Sequence, residues 1–386
     1  MINVLYIHQD GLITGSAISL FQMIKGFAPN TVDATVLFFN NGEAVEWFKQ
    51  VGIKTIVVKS HAFWTTPGPK WNKLGAIQNM KALLPNKNLK AVIAQLKPDV
   101  VHINDKAALS GGVEAKRLGI PVVQHSRSTY YICNIPLYKH LSASIINSYA
   151  SHIISISEDE TWLMDKRKTS VIYNSISLTA INDATANKIE LDKNKIHVGW
   201  VGKFTTAKGP WDFLELASQL HLEFPNVHFH MLAKLPTEID MELIDEQIIP
   251  TKIYLQQLIE KYQLSNCITL HGYRKDFLNV MASFDVMVNC NRLGAFGRQA
   301  FETLALGIAS VATCLTPGKS CVLNNDVALI CSEGDKEQLF EATRSLITDK
   351  NNRTMLAEAA KKWGNEQFSP KIQSAKILDI YNSILT

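Results

Sequence analysis

Two kinds of hydrophobic pattern alternate along this chain. Short apolar runs of strand length are separated by longer amphipathic segments of helical length, for example Ser16–Phe27 and Ala107–Leu118. The apolar runs of the first half are Val4–His8, Ala34–Phe38, Val100–Ile103, Pro121–Gln124 and Ile153–Ile156. Strands that alternate with helices in this way predict an α/β fold with a parallel sheet covered by helices.

A second series of the same kind follows in the other half. Its apolar runs are His197–Val201, Val227–Leu232, Ile268–Leu270, Val286–Val288 and Ala309–Ala312. Residues 176–195, between the two series, are polar and lack clear periodicity, which favours an interdomain connection. We therefore predict an N-terminal Rossmann-like domain at 1–175, this linker, and a second Rossmann-like domain at 196–370. A C-terminal helix at 371–386 is expected to pack back on the first domain.

Composition agrees with an ordinary globular protein. The chain has 386 residues, enough for two to three domains, with 46% hydrophobic and 19% charged residues. No basic segment with a small-residue cleavage site precedes the first strand, and no apolar run approaches the ~18 residues that a membrane span needs. None of the six cysteines forms a CxxC pair, so reduced thiols are expected. These features predict a cytoplasmic location.

Positive charge is concentrated in the N-terminal half. Residues 1–180 contain 18 Lys and Arg against 11 Asp and Glu, and residues 47–98 contain nine Lys and no acid. Residues at helical spacing in this stretch are Trp71, Leu74, Ile77, Met80 and Leu84. Lysines beside aromatic anchors, which here are Trp47, Trp64 and Trp71, suit an anionic membrane surface. A core-facing helix with a solvated basic face explains the pattern equally well. Nucleic acid is not expected as a partner, since no recognised module is present.

The segment Val201–Gly209 carries two lysines where a predicted strand gives way to a helix. Lys203 and Lys208 are five residues apart, and the helix is expected to start near Pro210. Backbone N–H groups and the helix dipole attract an anion at such a helix N-terminus, and the ammonium groups would neutralise it. The segment predicts a diphosphate-binding loop, and an ordinary turn with solvated lysines is the alternative.

Two turns in the first half also carry candidate residues. His125 follows the strand at Pro121–Gln124 and is followed by Arg127, a second possible anion contact. A polar side chain at the carboxyl end of a parallel strand is expected to face a ligand crevice. A buried structural histidine is the alternative. Gly15 lies in the turn after the first strand, with Ser16 as the predicted helix N-cap.

The segment from Gly294 to Glu302 carries the most specific motif. Phe296, Gly297 and Glu302 have the spacing of the pattern Glu-x-Phe-Gly-x-x-x-x-Glu. This pattern resembles the donor-site motif of family-4 retaining glycosyltransferases of the GT-B fold. The lysine loop resembles the Gly-Arg-x-x-x-x-Lys-Gly element of the same family, with Lys203 in place of the Arg. The resemblance implies two Rossmann-like domains that face a central cleft.

The resemblance also implies roles for individual residues. Lys203 and Lys208 would neutralise the leaving diphosphate, so that no metal ion or other cofactor is required. Glu302 would hold the ribose hydroxyls of a nucleoside diphosphate sugar, and His125 would contact the donor sugar. The other donor-site positions implied by the family are Gly15, Tyr273, Phe296 and Gly297.

Gly294 is the point at which this chain departs from the family motif. The motif has a Glu there, close to the donor sugar ring. The enzyme could use a sugar that does not need this contact, another acid could enter from a neighbouring loop, or activity could be weak or lost. We favour the first interpretation, because Phe296, Gly297 and both lysines are retained.

The resemblance predicts a glycosyltransferase, with retention of anomeric configuration, that acts in polysaccharide, lipopolysaccharide or other glycan biosynthesis. Its partners would be a nucleotide sugar, a glycan or lipid-linked acceptor, and an anionic membrane surface at residues 47–98. A peripheral position at the inner face of the cell membrane follows from these partners. The alternatives are a non-hydrolysing nucleotide-sugar epimerase of the same architecture and a non-catalytic homologue that binds a nucleotide sugar.

Overall fold

The computed structural model of the protein contains two compact units. Unit 1 comprises residues 1–175 and 369–386, and unit 2 comprises residues 176–368. The structure describes residues 1–63, 73–128, 136–244, 247–292, 297–314, 323–324 and 326–386. Within these ranges, no helix is long and apolar enough to cross a membrane.

In its described part, unit 1 is a seven-stranded parallel sheet with helices on both faces. The strands are β1 (Ile2–His8), β2 (Val32–Phe38), β3 (Lys54–Val57), β4 (Val100–Asn104), β5 (Val122–Ser126), β6 (His152–Ser155) and β7 (Thr169–Val171). Their order across the sheet is β3-β2-β1-β4-β5-β6-β7. The helices are α1 (Gly15–Gly26), α2 (Glu43–Gln50), α3 (Lys73–Leu83), α4 (Lys87–Leu96), α5 (Leu109–Arg117), α6 (Pro136–Tyr149) and, from the far end of the chain, α14 (Pro370–Leu385).

Unit 2 repeats this design around a second parallel sheet. Its strands are β8 (Ile196–Val201), β9 (Val227–Leu232), β12 (Ile268–Leu270), β13 (Val286–Asn289), β14 (Ala309–Cys314) and β15 (Leu329–Ser332), in the order β12-β9-β8-β13-β14-β15. An antiparallel hairpin is formed by β10 (Met241–Ile244) and β11 (Gln247–Pro250). The helices are α7 (Leu178–Ala186), α8 (Pro210–Glu223), α9 (Thr251–Lys261), α10 (Phe277–Met281), α11 (Arg298–Leu306), α12 (Lys336–Thr348) and α13 (Lys350–Gln367). The prediction of two Rossmann-like sheets is confirmed.

Helix α14 packs against α1 within unit 1. Its Ile377 and Tyr381 are fully buried, and the Ser374 hydroxyl donates to the Met23 carbonyl oxygen at 2.6 Å. A Cβ atom on Gly26 would lie 2.2 Å from the Pro370 carbonyl oxygen, so only glycine lets the end of α1 come this close to the start of α14. The two helices therefore share one core with the sheet of unit 1.

Every strand predicted from an apolar run is present, with its ends shifted by at most two residues. The parallel strands that the pattern missed are β3, β7 and β15, and each lies at an edge of its sheet. Edge strands are covered less completely, and most residues of these three are half-buried or exposed. A half-exposed strand needs no continuous apolar run, so its sequence gives a weaker signal.

Three expectations from the sequence are wrong. Residues 176–195 are not a free linker, because α7 forms there, buries Ile181 and Ala184, and packs on α10 and α11 of unit 2. The N-cap of α1 is Thr14 and not Ser16, since the Thr14 hydroxyl accepts from the Ala17 N–H at 3.4 Å. Of the cysteines that the structure describes, three are free thiols, but Cys314 is disulfide-bonded.

Candidate functional site

Three adjacent strands of unit 1 end in polar residues that lie side by side. His8 at the end of β1 is in register with Asn104 at the end of β4, and Asn104 is in register with His125 in β5. All three side chains are fully buried. The carboxyl ends of parallel strands are the usual ligand position in such sheets, so this row is the candidate site of unit 1.

Arg127 connects this row through its guanidinium group. Its Nε donates to Asn104 Oδ1 at 2.6 Å, one terminal nitrogen lies 3.3 Å from His125 Nδ1, and the other donates to Asn174 Oδ1. The guanidinium is thus already bonded to neighbouring side chains. This contrasts with the expected role of Arg127 as an anion contact and makes it a group that orients other side chains.

The histidines of the row are neutral at physiological pH. Burial lowers the pKa of His8 to about 4, although the carboxylate of Asp10 opposes this shift. Burial, followed by the charge of Arg127, lowers the pKa of His125 well below its usual range, and it does the same for His102. A neutral imidazole offers one donor and one acceptor, so the tautomer of each ring decides what it can bind.

The turn after β4 is hydrogen-bonded to the residues that follow β5. Asp105 Oδ1 accepts from the backbone N–H of Lys106 at 2.8 Å and of Arg127 at 3.2 Å, and from the Ser128 hydroxyl at 2.9 Å. Asp105 has a φ of 84°, a left-handed conformation that non-glycine residues seldom adopt. Such strain is found preferentially at functional sites, where the surrounding bonds stabilise it.

Gly15 lies beside this network at the start of α1. The Asn104 amide nitrogen donates to the Ser16 carbonyl oxygen at 3.2 Å, while Gly15 itself is exposed. Sequence reasoning missed His8, Asn104 and Asp105. Their signal was the same as that of His125, a polar residue directly after a buried apolar run.

In unit 2, the two candidate lysines lie in the turn between β8 and α8. Lys203 is exposed, whereas Lys208 is half-buried and its Nζ lies 3.4 Å from Asn291 Oδ1. The Lys208 carbonyl oxygen accepts from the Trp200 indole N–H at 2.9 Å, which fixes the turn to the core. Gly209 has a φ of 61°, and a Cβ atom there would meet the Cys290 carbonyl oxygen at 1.9 Å, so this position requires glycine.

A side chain of helix α11 also donates a hydrogen bond to Asn291. Gln299 in its first turn donates to Asn291 Oδ1 at 3.3 Å, so this oxygen joins the lysine turn to the start of α11. Gly297 precedes the helix and provides no side-chain cap. The Asn291 amide nitrogen and both amide atoms of Asn289 are buried without a hydrogen-bond partner among the described residues. Polar atoms left in this state mark the ends of β13 and α11 as a candidate binding site.

Glu302 is buried, as predicted, but its carboxylate has a partner. Arg298, one turn earlier in α11, donates from Nε to Glu302 Oε1 at 3.0 Å, and both side chains are largely shielded from solvent. A buried carboxylate that has this partner does not require a ligand to satisfy it. Tyr273, which follows β12, is 76% exposed. Phe296 and Gly294 lie outside the described residues.

A row of four histidines crosses the sheet of unit 2, away from the lysine turn. His197 Nε2 lies 2.9 Å from the Asp192 carbonyl oxygen, and its Nδ1 lies 2.9 Å from His230 Nε2. His230 Nδ1 in turn lies 2.9 Å from His271 Nε2, and the ring of His228 flanks His230. Burial, followed by the charges of the other histidines, lowers the pKa of His230 to about 2. Both ring nitrogens of His197 and His230 are bonded.

The basic stretch of unit 1 has an exposed apolar row. Ile77, Met80 and Leu84 are 50%, 57% and 59% exposed, and the core side of α3 is formed by Asn79 and Ala82 instead. The alternative of a core-facing row is thus wrong for these three residues. Lys49 and Lys54 pair with acids outside the stretch, and its other described lysines with exposed side chains are Lys59, Lys81, Lys87, Lys90 and Lys97. Lys70, Trp64 and Trp71 lie outside the described residues.

Two protein-family models match this chain, one in each half. Residues 14–167 match the glycosyl transferase 4-like domain, and residues 182–363 match glycosyl transferases group 1. A capsular polysaccharide biosynthesis glycosyltransferase of Staphylococcus aureus is 23% identical over 263 residues, which is 64% of this chain and 65% of the relative. The match therefore spans slightly less than two thirds of that relative's length.

Solved structures show the same fold over the whole chain. HepE of Anabaena, determined in complex with UDP, has a TM-score of 0.77 at 20% identity and covers 99% of this chain and 100% of its own. A UDP-N-acetylglucosamine 2-epimerase has a TM-score of 0.61 at 14% identity and covers 99% and 97%. Together with the two parallel sheets, these similarities identify the GT-B fold.

Proposed function

We propose that this chain, which has the GT-B fold and carries matches to two glycosyltransferase domains, moves a sugar from a nucleoside diphosphate sugar to an acceptor in glycan biosynthesis. The observation that carries the proposal is the order of the two domain matches, 4-like in unit 1 and group 1 in unit 2. The capsular polysaccharide relative supports a glycan or lipid-linked acceptor. The UDP complex of HepE supports a uridine nucleotide as the first donor to test.

The donor diphosphate would bind in unit 2 at the turn that holds Lys208. This lysine is held near Asn291, whose oxygen also accepts from Gln299 at the start of α11. A half-buried cation and a helix N-terminus without a side-chain cap would together stabilise the charge on a leaving diphosphate. We therefore propose transfer that needs no metal ion, with Lys203 as an additional solvent-exposed cation. Glu302 would hold the ribose once its pairing with Arg298 is shared with or displaced by the hydroxyls.

Retention of anomeric configuration is part of the same proposal. The bond from the sugar C1 atom to the diphosphate breaks, the acceptor oxygen bonds to C1 on the same face, and the acceptor proton passes to the leaving diphosphate. Gly294 lacks the carboxylate that the family motif has at this position, so we expect a sugar that does not need this contact. Tyr273, Phe296, Gly297 and Gly15 complete the donor site proposed from the motif.

Epimerisation is the second candidate, because an epimerase shares the architecture. Both domain matches favour transfer. Analysis of the sugar released or transferred from UDP-glucose and UDP-N-acetylglucosamine separates the two reactions. A product epimerised at C2 and still attached to UDP would contradict the proposal.

The direct test is thermal stabilisation of the purified protein by nucleoside diphosphates and their sugars in the presence of a chelator. A ligand that binds only the folded state raises the unfolding temperature by mass action. We expect stabilisation by at least one nucleoside diphosphate, and we expect Lys208→Ala to reduce turnover by about 2–4 kcal/mol of transition-state stabilisation. Lys252→Ala, an exposed lysine paired with Glu238, is the matched control. Activity that is lost on chelation and restored by Mg²⁺ or Mn²⁺ would contradict metal-independent transfer.

We also propose that α3 contacts an anionic membrane surface. Its exposed Ile77 and Met80, together with Leu84 directly after the helix, would enter the lipid interface, while neighbouring lysines meet the headgroups. Each exposed lysine near such a surface contributes about 1 kcal/mol.

Vesicle sedimentation tests this contact. The protein should sediment with acidic vesicles at low salt, and the triple variant with Lys81, Lys87 and Lys90 replaced by Gln should sediment far less. The control replaces three exposed lysines of unit 2, which are Lys350, Lys361 and Lys362. Equal sedimentation with acidic and neutral vesicles would leave α3 as a solvated helix.

A further inference from the structure

The turn that carries Lys208 is hydrogen-bonded to the core of unit 2 at its end. The turn comprises Thr206–Lys208, and the Lys208 carbonyl oxygen accepts from the indole N–H of Trp200, which lies in β8 and is fully buried. The Ala207 carbonyl oxygen accepts at 3.0 Å from the backbone N–H of Arg292, in the segment that follows β13. Two of the three residues of the turn are therefore fixed by the parallel sheet and the segment that extends it.

The beginning of the turn is bonded to the hairpin of β10 and β11 instead. The Thr206 N–H donates to Glu242 Oε1 at 3.0 Å. Glu242 lies in β10 opposite Ile249 of β11, and its side chain is half-buried. The first N–H of a helical turn has no partner within the turn, so it needs an acceptor from elsewhere. A carboxylate forms a stronger hydrogen bond with an N–H than a neutral acceptor does, so this contact connects the hairpin firmly to the turn.

The hairpin is closed at its base by hydrogen bonds of its own. The Thr251 N–H donates to the Asp240 carbonyl oxygen at 2.9 Å, and the Asp240 carboxylate accepts from the Thr237 N–H at 2.7 Å. The hairpin is not part of the six-stranded sheet of unit 2, and Ile248 in β11 is exposed. The hydrogen bond of Glu242 therefore joins two elements that the sheet does not hold together.

We infer that Glu242 is a positioning residue, which holds the beginning of the turn Thr206–Lys208 and so fixes the position of Lys208. The Lys208 Nζ atom lies 3.4 Å from Asn291 Oδ1, and this position depends on the backbone of the turn. A charged group stabilises a leaving diphosphate best when it is already in place before the reaction. That Lys208 meets a diphosphate rests on the proposed function, whereas the effect of Glu242 on the turn does not.

The Glu242 carboxylate acts as a hydrogen-bond acceptor and not through its charge. A negative charge beside a turn that binds a diphosphate would repel the ligand, so charge alone gives Glu242 no favourable role. Glutamine keeps a side-chain acceptor oxygen but carries no charge. Glu242→Gln should therefore preserve the position of the turn, and Glu242→Ala should not.

Nuclear magnetic resonance tests the position of the turn without any ligand. The Trp200 indole N–H reports on the turn, since it donates to the Lys208 carbonyl oxygen, and Trp200→Phe assigns its ¹H–¹⁵N signal. We expect Glu242→Ala to shift this signal and Glu242→Gln, whose amide oxygen can accept from the Thr206 N–H, to leave it near the wild-type position. The indole signal of Trp363 in α13 is the internal control and should not change in either variant.

Glu238→Ala is the matched control variant. It removes one carboxylate from the segment that leads into β10, where Glu238 is exposed and paired with Lys252. We expect the Trp200 signal to be unchanged in this variant. An unchanged Trp200 signal in Glu242→Ala, or equal shifts in Glu242→Ala and Glu242→Gln, would overturn the positioning role.

Titration with UDP connects the turn to ligand binding. We expect Glu242→Ala to weaken UDP affinity roughly two- to tenfold, the usual effect of one lost hydrogen bond, and Glu242→Gln to bind at least as tightly as the wild type. Added to Lys208→Ala, the Glu242→Ala change should cause little further loss, because a residue that acts through another is not additive with it. An equal loss with and without Lys208 would overturn positioning through this lysine.

The positioning role and the proposed function can fail separately. If UDP does not bind the wild type but the Trp200 signal shifts in Glu242→Ala, the result contradicts UDP as the donor nucleotide and supports the effect of Glu242 on the turn. If UDP binds the wild type and Glu242→Ala with equal affinity, the positioning role is overturned and the proposed function stands.

Discussion

Both units contain buried histidines, but the two sets contact opposite kinds of group. In unit 1, one terminal nitrogen of Arg127, which can only donate, lies 3.3 Å from His125 Nδ1, and His125 Nε2 has no partner among the described residues. In unit 2, the Asp192 carbonyl oxygen can only accept, so His197 donates to it from Nε2. The contact with His197 then requires His230 to donate from Nε2 as well.

The two sets differ in what they leave unsatisfied. His197 and His230 have both ring nitrogens bonded, and they lie along the strands of unit 2. His8 and His125 have only Nδ1 bonded, and they lie at the carboxyl ends of β1 and β5. From this comparison we expect that satisfied histidines stabilise the fold, while unsatisfied ones at strand ends are available to a ligand. Residue type alone would not separate the two roles.

The largest expected effect is on the stability of unit 2. His230→Phe would leave His197 Nδ1 and His271 Nε2 without their partners, so the free energy of unfolding should fall by about 2–5 kcal/mol. Chemical denaturation measures this loss. Binding of a nucleoside diphosphate should be unchanged in the same variant below its unfolding temperature. A loss below about 0.5 kcal/mol would contradict the structural role of the row.

His125→Phe should reduce stability less than His230→Phe does, and it should reduce substrate affinity or turnover more. It removes one bonded nitrogen and one free donor, so the stability loss should be smaller, about 1–3 kcal/mol. Substrate affinity or turnover should fall at the same time, as measured by steady-state kinetics below the unfolding temperature. Turnover equal to that of the wild type would remove His125 from the site and leave it with the same structural role as His230.

A smaller effect is expected from a modest decrease in pH. Burial holds the pKa of His8 at about 4, below the 6.5 of an unfolded histidine, so the folded state binds fewer protons between these values. Stability should therefore be constant above about pH 6.5 and should fall as the pH decreases below it, by at most about 1.4 kcal/mol per unit for each such group. Urea midpoints at about pH 7 and about pH 5.5 check the sign.

The contribution of each set to this acid sensitivity can be separated. His8→Gln removes one titrating group from unit 1 and His230→Gln removes one from unit 2, where the pKa of His230 is lowered to about 2. Each variant should lose stability at neutral pH and show a shallower decrease in acid. An increase of stability on acidification in the wild type would contradict the neutral state of both sets.

The sequence predicted the central strands well and the site only in part. A strand covered on both faces must be a continuous apolar run, and this is why strands such as β1 and β9 were found. Helix α7 was missed because its exposed face is rich in Ala, Thr, Asn and Asp, and only Ile181 and Ala184 are buried. Its burial depends on α10 and α11, which are far away in sequence.

For individual site residues, too, the sequence can predict local contacts but not contacts between distant strands. The pairing of Arg298 with Glu302 is local, four residues apart in one helix, and could have been predicted from helical spacing. The alignment of His8, Asn104 and His125 could not, because it depends on strand order and register across more than a hundred residues. Candidate residues can thus be found strand by strand, but their partners follow only from the sheet.

Helix α14 has a consequence for how the protein is made. The sheet of unit 1 is synthesised first, yet Tyr381 and Ile377 fill its core from the far end of the chain. Domains usually fold in the order in which they leave the ribosome. Here all of unit 2 must be translated before residues 370–385 can complete the hydrophobic core of unit 1. Only then can the Tyr381 hydroxyl contact His102. The first unit to be synthesised is therefore the last to be completed.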